Sequence, residues 1–424
     1  ITCDDAVVNS LVYGCVVVKN PTGLHPGCVM VIPREMDVHH LTPVHYPANK
    51  KDTGIITTHF DYHSIEGRLV KLDILGHDDP TVIRMLEDMT GVDAKSIPFD
   101  DPATLSLFSS TKALGVTPEE LGSKVGSLGI PEFGTSFVRQ MLVDTKPKTF
   151  SELVRISGFS HGTDVWLNNA QDLITSGTVP LKEAVSTRGD IMNYLLQHGI
   201  KPKTSFKVME NVRKGKGLEK GGFNNKAELD AAHVPQWFID SCLKIGYLFP
   251  RAHAVAYVMM AFRIAWFKVY QPLAYYAASF TIRAEGSFNA PVIRKGLEAQ
   301  KAELARIAAL EHSTAVEKGN ATVIEVAAEM YLRGMEFLPI DLDRSDASEF
   351  KMVDGKLLPP FNCIPALGDA VAKEIVRARG EHLFTSKEDL KKRGKVSQSI
   401  IDTMDSMGIL KNMPDEEQIS LFSF

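Results

Sequence analysis

The chain has 424 residues, of which 44% are hydrophobic and 23% charged, and its net charge is −5. That balance excludes a disordered tail and a globally basic nucleic-acid coat, while the length allows roughly two to four domains with ample core. Five scattered cysteines (Cys3, Cys15, Cys28, Cys242 and Cys363) argue against a disulfide framework and for a reducing cytoplasm.

Ile1 stands where a start Met is expected, with no basic leader or apolar signal run after it, which predicts a segment of a longer polypeptide whose N-terminal side is missing. Residues 1–75 mix Val, Ile, Thr, Pro and Gly in short alternating runs ("GCVMVIP", "GIITTHF", "RLVKLDIL") and predict a mixed sheet. In "VKLDILGHDDP" (70–80), Val70, Leu72 and Ile74 alternate with Lys71, Asp73 and Leu75, so a lone carboxylate shares a strand with an apolar face. A buried charge needs compensation. On the residues alone, Asp73 is a strand-edge acid, a partner of Lys71, a cap near "HDDPT" or a metal ligand.

From about 80 to 290 the periodicity turns helical. "PTVIRMLEDM" has Pro80 at a helix start, "FGTSFVRQMLVDT" and "FSELVRISGF" follow, and "PQWFIDSCLKIGYLF" opens on another proline. The stretch "AVAYVMMAF" (254–262), bounded by His253 and Arg263, is too short to cross a bilayer, so no membrane partner is expected. Residues 296–335 predict two more helices, "EFLPIDLDRSDASEFKMVDGKLLPPF" a small β segment turning at Asp354-Gly355, and 362–412 short helices again.

Several motifs carry chemistry. "CIPALGDAVAKEIVRAR" (363–379) sets a tight Pro-Ala-Leu-Gly turn before a helix restarting at Asp369, the outline of a helix-hairpin-helix whose turn amides face a DNA phosphate. Gly368 is expected there for close backbone approach or positive φ. "FTSKEDLKKRGKVSQSIIDTMDSMGIL" repeats the plan with Ser386 as an N-cap and a second hairpin at "RGKVSQ". Lys373, Arg377, Lys391, Lys392, Arg393 and Lys395 favour duplex binding over an ordinary αα-hairpin. The tail "DEEQISLFSF" carries Gln418, Ile419, Leu421 and Phe422, apolar anchors suited to a partner's groove.

Residues 201–220 hold seven Lys/Arg against two acids, and "VMENVRKGKGLEK" (208–220) interleaves Arg213, Lys214 and Lys216 with glycines. This is either a polyphosphate cradle or a solvated basic loop. "YLFPRAHAVAYVMMAFRIAWFKVY" (247–270) puts Arg251 at a helix start with His253 and Tyr257 one turn apart, suited to a phosphate and a stacked base, or to a core tyrosine beside a satisfied histidine. "ISGFSHGTDVW" (156–166) clusters Ser160, His161, Thr163 and Asp164 and reads as a binding loop. Adjacent Ser and His seldom face each other, and no G-x-S-x-G elbow is present, so the pair does not by itself make a hydrolase. Cys15, His25 and Cys28 match no standard zinc module, which leaves zinc only as an option.

Taken in order, "KLDILGHDDPTVIRML", "IPEFGTSFVRQML", "ISGFSHGTDVWLNNAQ", "ENVRKGKG", "FPRAHAVAYVMMAFRIAWFKV" and the terminal "QISLF" resemble the C-terminal part of the PolC-type DNA polymerase III alpha subunits, C-family replicative polymerases of low-GC Gram-positive bacteria, across essentially the whole chain. The resemblance implies an α+β, multidomain fold: 1–90 the later part of a mixed-sheet palm, 91–290 mainly helical fingers, 291–340 a clamp-proximal helical region, 341–412 a duplex-binding region with tandem helix-hairpin-helix, and 413–424 a clamp-binding tail.

It also implies that Asp73 is the third carboxylate of a two-magnesium site, its companions lying on a D-x-D strand before residue 1. "IDLD" (340–343) does not match that strand's place. Ser160, His161, Arg213, Lys214, Lys216, Arg251, His253 and Tyr257 match fingers residues around the incoming deoxynucleotide. Lys19 and His25 lie near the palm nucleotide site, among the DNA contacts, in a stretch where Asn20, Leu24 and Cys28 depart from the family's usual "KRTTGQHPGG". Gly368, Lys373, Arg377, Lys392 and Arg393 fall in the duplex-binding hairpins. Gln418, Ile419, Leu421 and Phe422 match the peptide that docks on the sliding clamp. The implied partners are primer-template DNA, dNTP, the clamp and other replisome subunits. The segment alone is expected not to extend primers. The competing reading is a non-catalytic, clamp-tethered DNA-binding module in which Asp73 is structural.

Overall fold

The computed structural model describes residues 27–47, 51–60, 62–65, 69–74, 76–218, 225–284 and 287–416. The fold is α+β, with helices dominating, and its contacts divide into two units, 1–77 and 78–424.

In the first unit, β1 (Cys28–Val31), β2 (Val44–His45), β3 (Thr57–Thr58) and β4 (Val70–Asp73) form two antiparallel ribbons, β1 with β4 and β2 with β3. A mixed sheet is the sequence expectation; among the described residues the ladders are antiparallel only. The register pairs Cys28 with Asp73, Val29 with Leu72, Met30 with Lys71 and Val31 with Val70. Directly opposed residues share a face, so Val29, Val31, Val70, Leu72 and Ile74 line one side, as the alternation predicts. That side is not buried: Leu72 is 50% and Val70 61% exposed. Two strands cannot cover their own apolar face.

The second unit is built on helices whose starts are written locally. α1 (Asp79–Thr90) has Pro80 in its first turn and ends at Gly91 with φ 71°. α2 (Ser136–Thr145) is capped by Thr135, and α3 (Phe150–His161) and α4 (Arg188–Gln197) open with capping boxes, Thr149/Glu152 and Thr187/Asp190. Then come α5 (Pro202–Val212), α6 (Gln236–Lys244), α7 (Arg251–Tyr270), α8 (Pro272–Arg283), α9 (Leu297–Ala308) and α10 (Ala315–Leu332). The hairpin β5 (Lys351–Val353) to β6 (Lys356–Leu358) turns at Asp354-Gly355, both at positive φ, as the "DG" pair predicts. α11 (Asp369–Glu381), α12 (Lys387–Arg393) and α13 (Gln398–Ser406) close the described chain.

α7 is the axis of this unit and packs on α1, α3 and α8. By length and composition its 20 residues would cross a membrane, but Val258, Phe262, Ile264 and Phe267 are spent on the core, where each large apolar side chain contributes roughly 1.5–3 kcal/mol. Near its end the fully buried Lys268 Nζ lies 2.8 Å from Glu329 of α10 and donates to the carbonyls of Gly126 (2.9 Å) and Leu128 (2.5 Å). The Tyr276 hydroxyl donates to Glu329 (2.6 Å) and accepts from Arg333 (3.1 Å). Burial pulls the Lys268 ammonium down to about 8 against the pull of Glu329. These satisfied charges lock α7, α8 and α10 in one register.

Candidate functional site

Three segments distant in sequence meet at the N-terminal end of α7. Thr163, just past α3, donates its N–H to the carbonyl of Tyr247 (3.0 Å) and accepts from Gly246 (3.0 Å). Leu248 donates to the carbonyl of Arg213 (3.2 Å), just past α5. Gly215 makes this approach possible: its φ is 65°, and a Cβ there would lie 2.5 Å from the Gly246 carbonyl oxygen. The stitching sets side by side the segments that carry Ser160 and His161, Arg213, Lys214 and Lys216, and Arg251, His253 and Tyr257.

The sequence reading puts Ser160 and His161 on a loop; they occupy the last turn of α3. The capping box starts a helix that buries Leu153, Val154, Ile156 and Phe159, and the chain leaves it only at Gly162. His161 faces His253 (ring centroids 5.4 Å), Phe249 (5.5 Å) and Tyr257 (6.4 Å), while His253 and Tyr257 lie 4.5 Å apart along α7. His161 Nδ1 donates to the Ser157 carbonyl (2.7 Å), and Nε2 meets Glu132 at 3.0 Å. The bond to Glu132 raises the imidazole pKa above its ordinary 6.5, against burial.

The cations are unequally committed. Arg213 forks onto Glu210 (2.5 and 2.8 Å), holding that carboxylate below its usual range, and Lys214 lies 3.3 Å from it. Lys216 is exposed, and Arg251 is 45% exposed and 3.8 Å from Asp190. Asp190 accepts from the backbone N–H groups of Ser186 (3.1 Å) and Thr187 (2.8 Å) and lies 3.5 Å from Arg155. Arg155, Asp190, His198 and Arg251 line a polar cavity of about 670 Å³, within the range of small-molecule sites. Glu132, Arg155 and Asp190 escape the sequence reading. Thr187 and Asp190 spell a capping box that flags the acid as a helix-start residue, whereas nothing in "IPEFG" signals Glu132.

Asp73 ends β4 opposite Cys28; its side chain lies outside the described residues. The nearby acids Asp78 and Asp79 are engaged by Arg283, through Nε to Asp78 (2.8 Å) and Nη2 to Asp79. They fasten α1 to α8.

In the C-terminal region a single 3-10 turn (Phe361–Cys363) precedes the first hairpin in place of a full helix. The two turns are matched. Ala366 (φ 65°) and Lys395 (φ 52°) are left-handed, Leu367 and Val396 are buried, and Gly368 and Ser397 cap α11 and α13. Gly368 therefore does not serve the positive φ expected of it; its φ is −81°, and a Cβ there would meet nothing within 4 Å. Lys373 is exposed, but Arg377 pairs with Glu374 (3.0 Å) and Glu381 (2.7 Å), and Lys392 with Glu388 (2.9 Å). Arg377 and Lys395 (3.0 Å) hold Glu374 down at about 2. Arg393 binds Asp389 (2.9 Å) and the carbonyls of Ala378 and His382, closing the end of α11. Ser386 caps α12 through the Asp389 N–H, as expected.

Lys19, His25, Cys15 and the tail residues Gln418, Ile419, Leu421 and Phe422 lie outside the described residues. Cys28 sits half-buried on β1.

Three family models match the chain: the bacterial DNA polymerase III alpha NTPase domain over 5–76, the bacterial DNA polymerase III alpha subunit finger domain over 79–232, and a helix-hairpin-helix motif over 334–419. The chain is similar to the PolC-type DNA polymerase III of Clostridium perfringens, 53% identical over 98% of the chain and 29% of that protein. It is 53% identical to that of Caldanaerobacter subterraneus over 100% of the chain and 30% of the relative, and 54% identical to that of Thermotoga maritima over 96% and 29%. The chain thus spans about 30% of the length of the curated relatives it matches.

Proposed function

The chain belongs to the PolC-type DNA polymerase III family, and from that premise we propose that it serves template-directed DNA synthesis, supplying one catalytic carboxylate, the fingers face for the incoming dNTP, a duplex-binding module and a clamp-docking tail. The observation that supports the reading is that backbone hydrogen bonds tie the segment carrying Arg213, Lys214 and Lys216 to the strand-like stretch leading into α7, where His253 and Tyr257 pack on His161. Cations there suit a triphosphate, and the α7 rings suit a stacked base.

Asp73 is the carboxylate we assign to magnesium, a hard cation that prefers oxygen donors. Bound there, divalent cations supply activation of a primer 3′-hydroxyl and neutralisation of the leaving pyrophosphate. The residues of this chain do the holding. Lys214, Lys216 and Arg251 fix the phosphates, and Tyr257 and His253 orient the base so that attack on the α-phosphate is in line. The paired hairpin turns offer backbone amides to the duplex phosphates, with Gly368 allowing close approach, and zinc has no assigned role. Gln418, Ile419, Leu421 and Phe422 dock on the clamp.

The test is Asp73→Asn in the polymerase that carries this segment. Primer extension should fall by several orders of magnitude while duplex affinity is kept, because a lost metal ligand removes transition-state stabilisation. Undiminished extension would make Asp73 structural and leave a clamp-tethered DNA-binding module.

A further inference from the structure

His161 has no donor left for a nucleotide. The Ser157 carbonyl can only accept, so Nδ1 carries a proton; an ionised Glu132 can only accept, so Nε2 carries one too. Below its raised pKa the ring is an imidazolium whose two N–H groups are spent inside the chain. What remains to it is its flank, packed across Phe249 and His253 and beside Tyr257.

Glu132 reaches it at a structural cost. Pro131 and Glu132 occupy the centre of a turn closed by the Phe133 N–H on the Ile130 carbonyl (3.3 Å), and Glu132 has φ 67°. Glycine or asparagine ordinarily fills that place. A strained backbone that delivers a carboxylate, 12% exposed, to a half-buried histidine marks a constraint set by the site.

We infer that Glu132 is a positioning residue of the polymerase: by fixing the charge and orientation of His161, it holds the His253/Tyr257 face of α7 in place for the incoming nucleoside triphosphate. The inference rests on the nucleotide-site reading above. Attraction of the charged ring to the neighbouring Phe249 ring (5.5 Å) is the holding force. Among the described residues, the titratable groups facing His161 are Glu132, His253 and Tyr257. With the folded pKa of His161 above 6.5, this contribution is complete below about 6.5 and disappears as pH rises through the raised value.

Glu132→Gln isolates the charge, since an amide can donate to Nε2 of the neutral ring and keep a hydrogen bond. In the polymerase carrying this segment, E132Q should move the rise of KM for dNTP to lower pH, so that KM exceeds the wild-type value about fivefold in the interval where only the wild-type ring is charged, with kcat and duplex affinity held and the two profiles meeting at the acid end. E132D should restore part of the wild-type profile. E132G, which also relieves the left-handed strain, should show the same pH shift with thermal stability intact. Superimposable KM–pH profiles for wild type and E132Q overturn the inference. Arg251→Ala separates the two levels: a raised KM there with a silent E132Q sinks only the role of Glu132, whereas an unchanged KM removes the nucleotide site and the inference with it.

Discussion

Around the start of α7 and in the tandem hairpins the chain gathers cations, and it commits them to carboxylates to different degrees. At α7, Lys216 and Arg251 are exposed, and Arg251 is nearly 4 Å from its nearest acid at 3.8 Å. In the hairpins Arg377, Lys392, Arg393 and Lys395 each lie within hydrogen-bonding reach of a carboxylate on α11 or α12. Side-chain charge suits a mobile, multiply charged ligand that must be captured and released, whereas a duplex with regularly spaced phosphates can be met by backbone amides on two matched turns. Charge at the hairpins is largely balanced by these pairs.

The comparison breaks most severely at a residue in neither site. Lys268→Met leaves Glu329 buried and unpaired and should cost about 3–5 kcal/mol, read as a fall in the thermal midpoint. It should loosen the α7 face before the hairpins, because Lys268 stands on α7 itself. The next effect sharpens the contrast. Arg251→Ala should raise KM for dNTP about tenfold, the worth of a charge-assisted hydrogen bond, with duplex affinity unmoved. Gly368→Ala is its mirror image. The new methyl meets no protein atom, so the fold should persist, while affinity for duplex DNA in a binding titration drops about fivefold with an almost unchanged salt slope. A steep change of slope would mean that the hairpins bind by side-chain charge after all. Ala366→Gly is the smallest. Relief of a left-handed alanine, less the extra freedom gained by the unfolded chain, should raise stability by about 0.5 kcal/mol in chemical denaturation.

The hairpins were the most legible part of the molecule. Pro365 to Gly368, Ser386 and the Asp354-Gly355 turn act within a few residues of themselves, so their chemistry is written where it is used. Helix starts at Pro80, Pro235 and Pro250 were readable for the same reason. The first hairpin's reduction to a 3-10 turn and the shift of the left-handed position from Gly368 to Ala366 were not, because both are settled by how Phe361 and Leu367 bury against the rest of the unit. On β4, alternation correctly divided the faces but could not say that the apolar one would be left open.

Order and local form were therefore fixed by the sequence: which stretches coil, where they begin, which residues alternate, and which motifs occur in the order of a known polymerase family. Only the tertiary structure decided which charges are available for work. Glu132 with His161, Asp190 with Arg155 and Arg251, and Lys268 with Glu329 are joined across long stretches of chain by packing. Whether a cation is a ligand, a staple or a strut depends on the acid that folding brings beside it, and no local pattern records that neighbour.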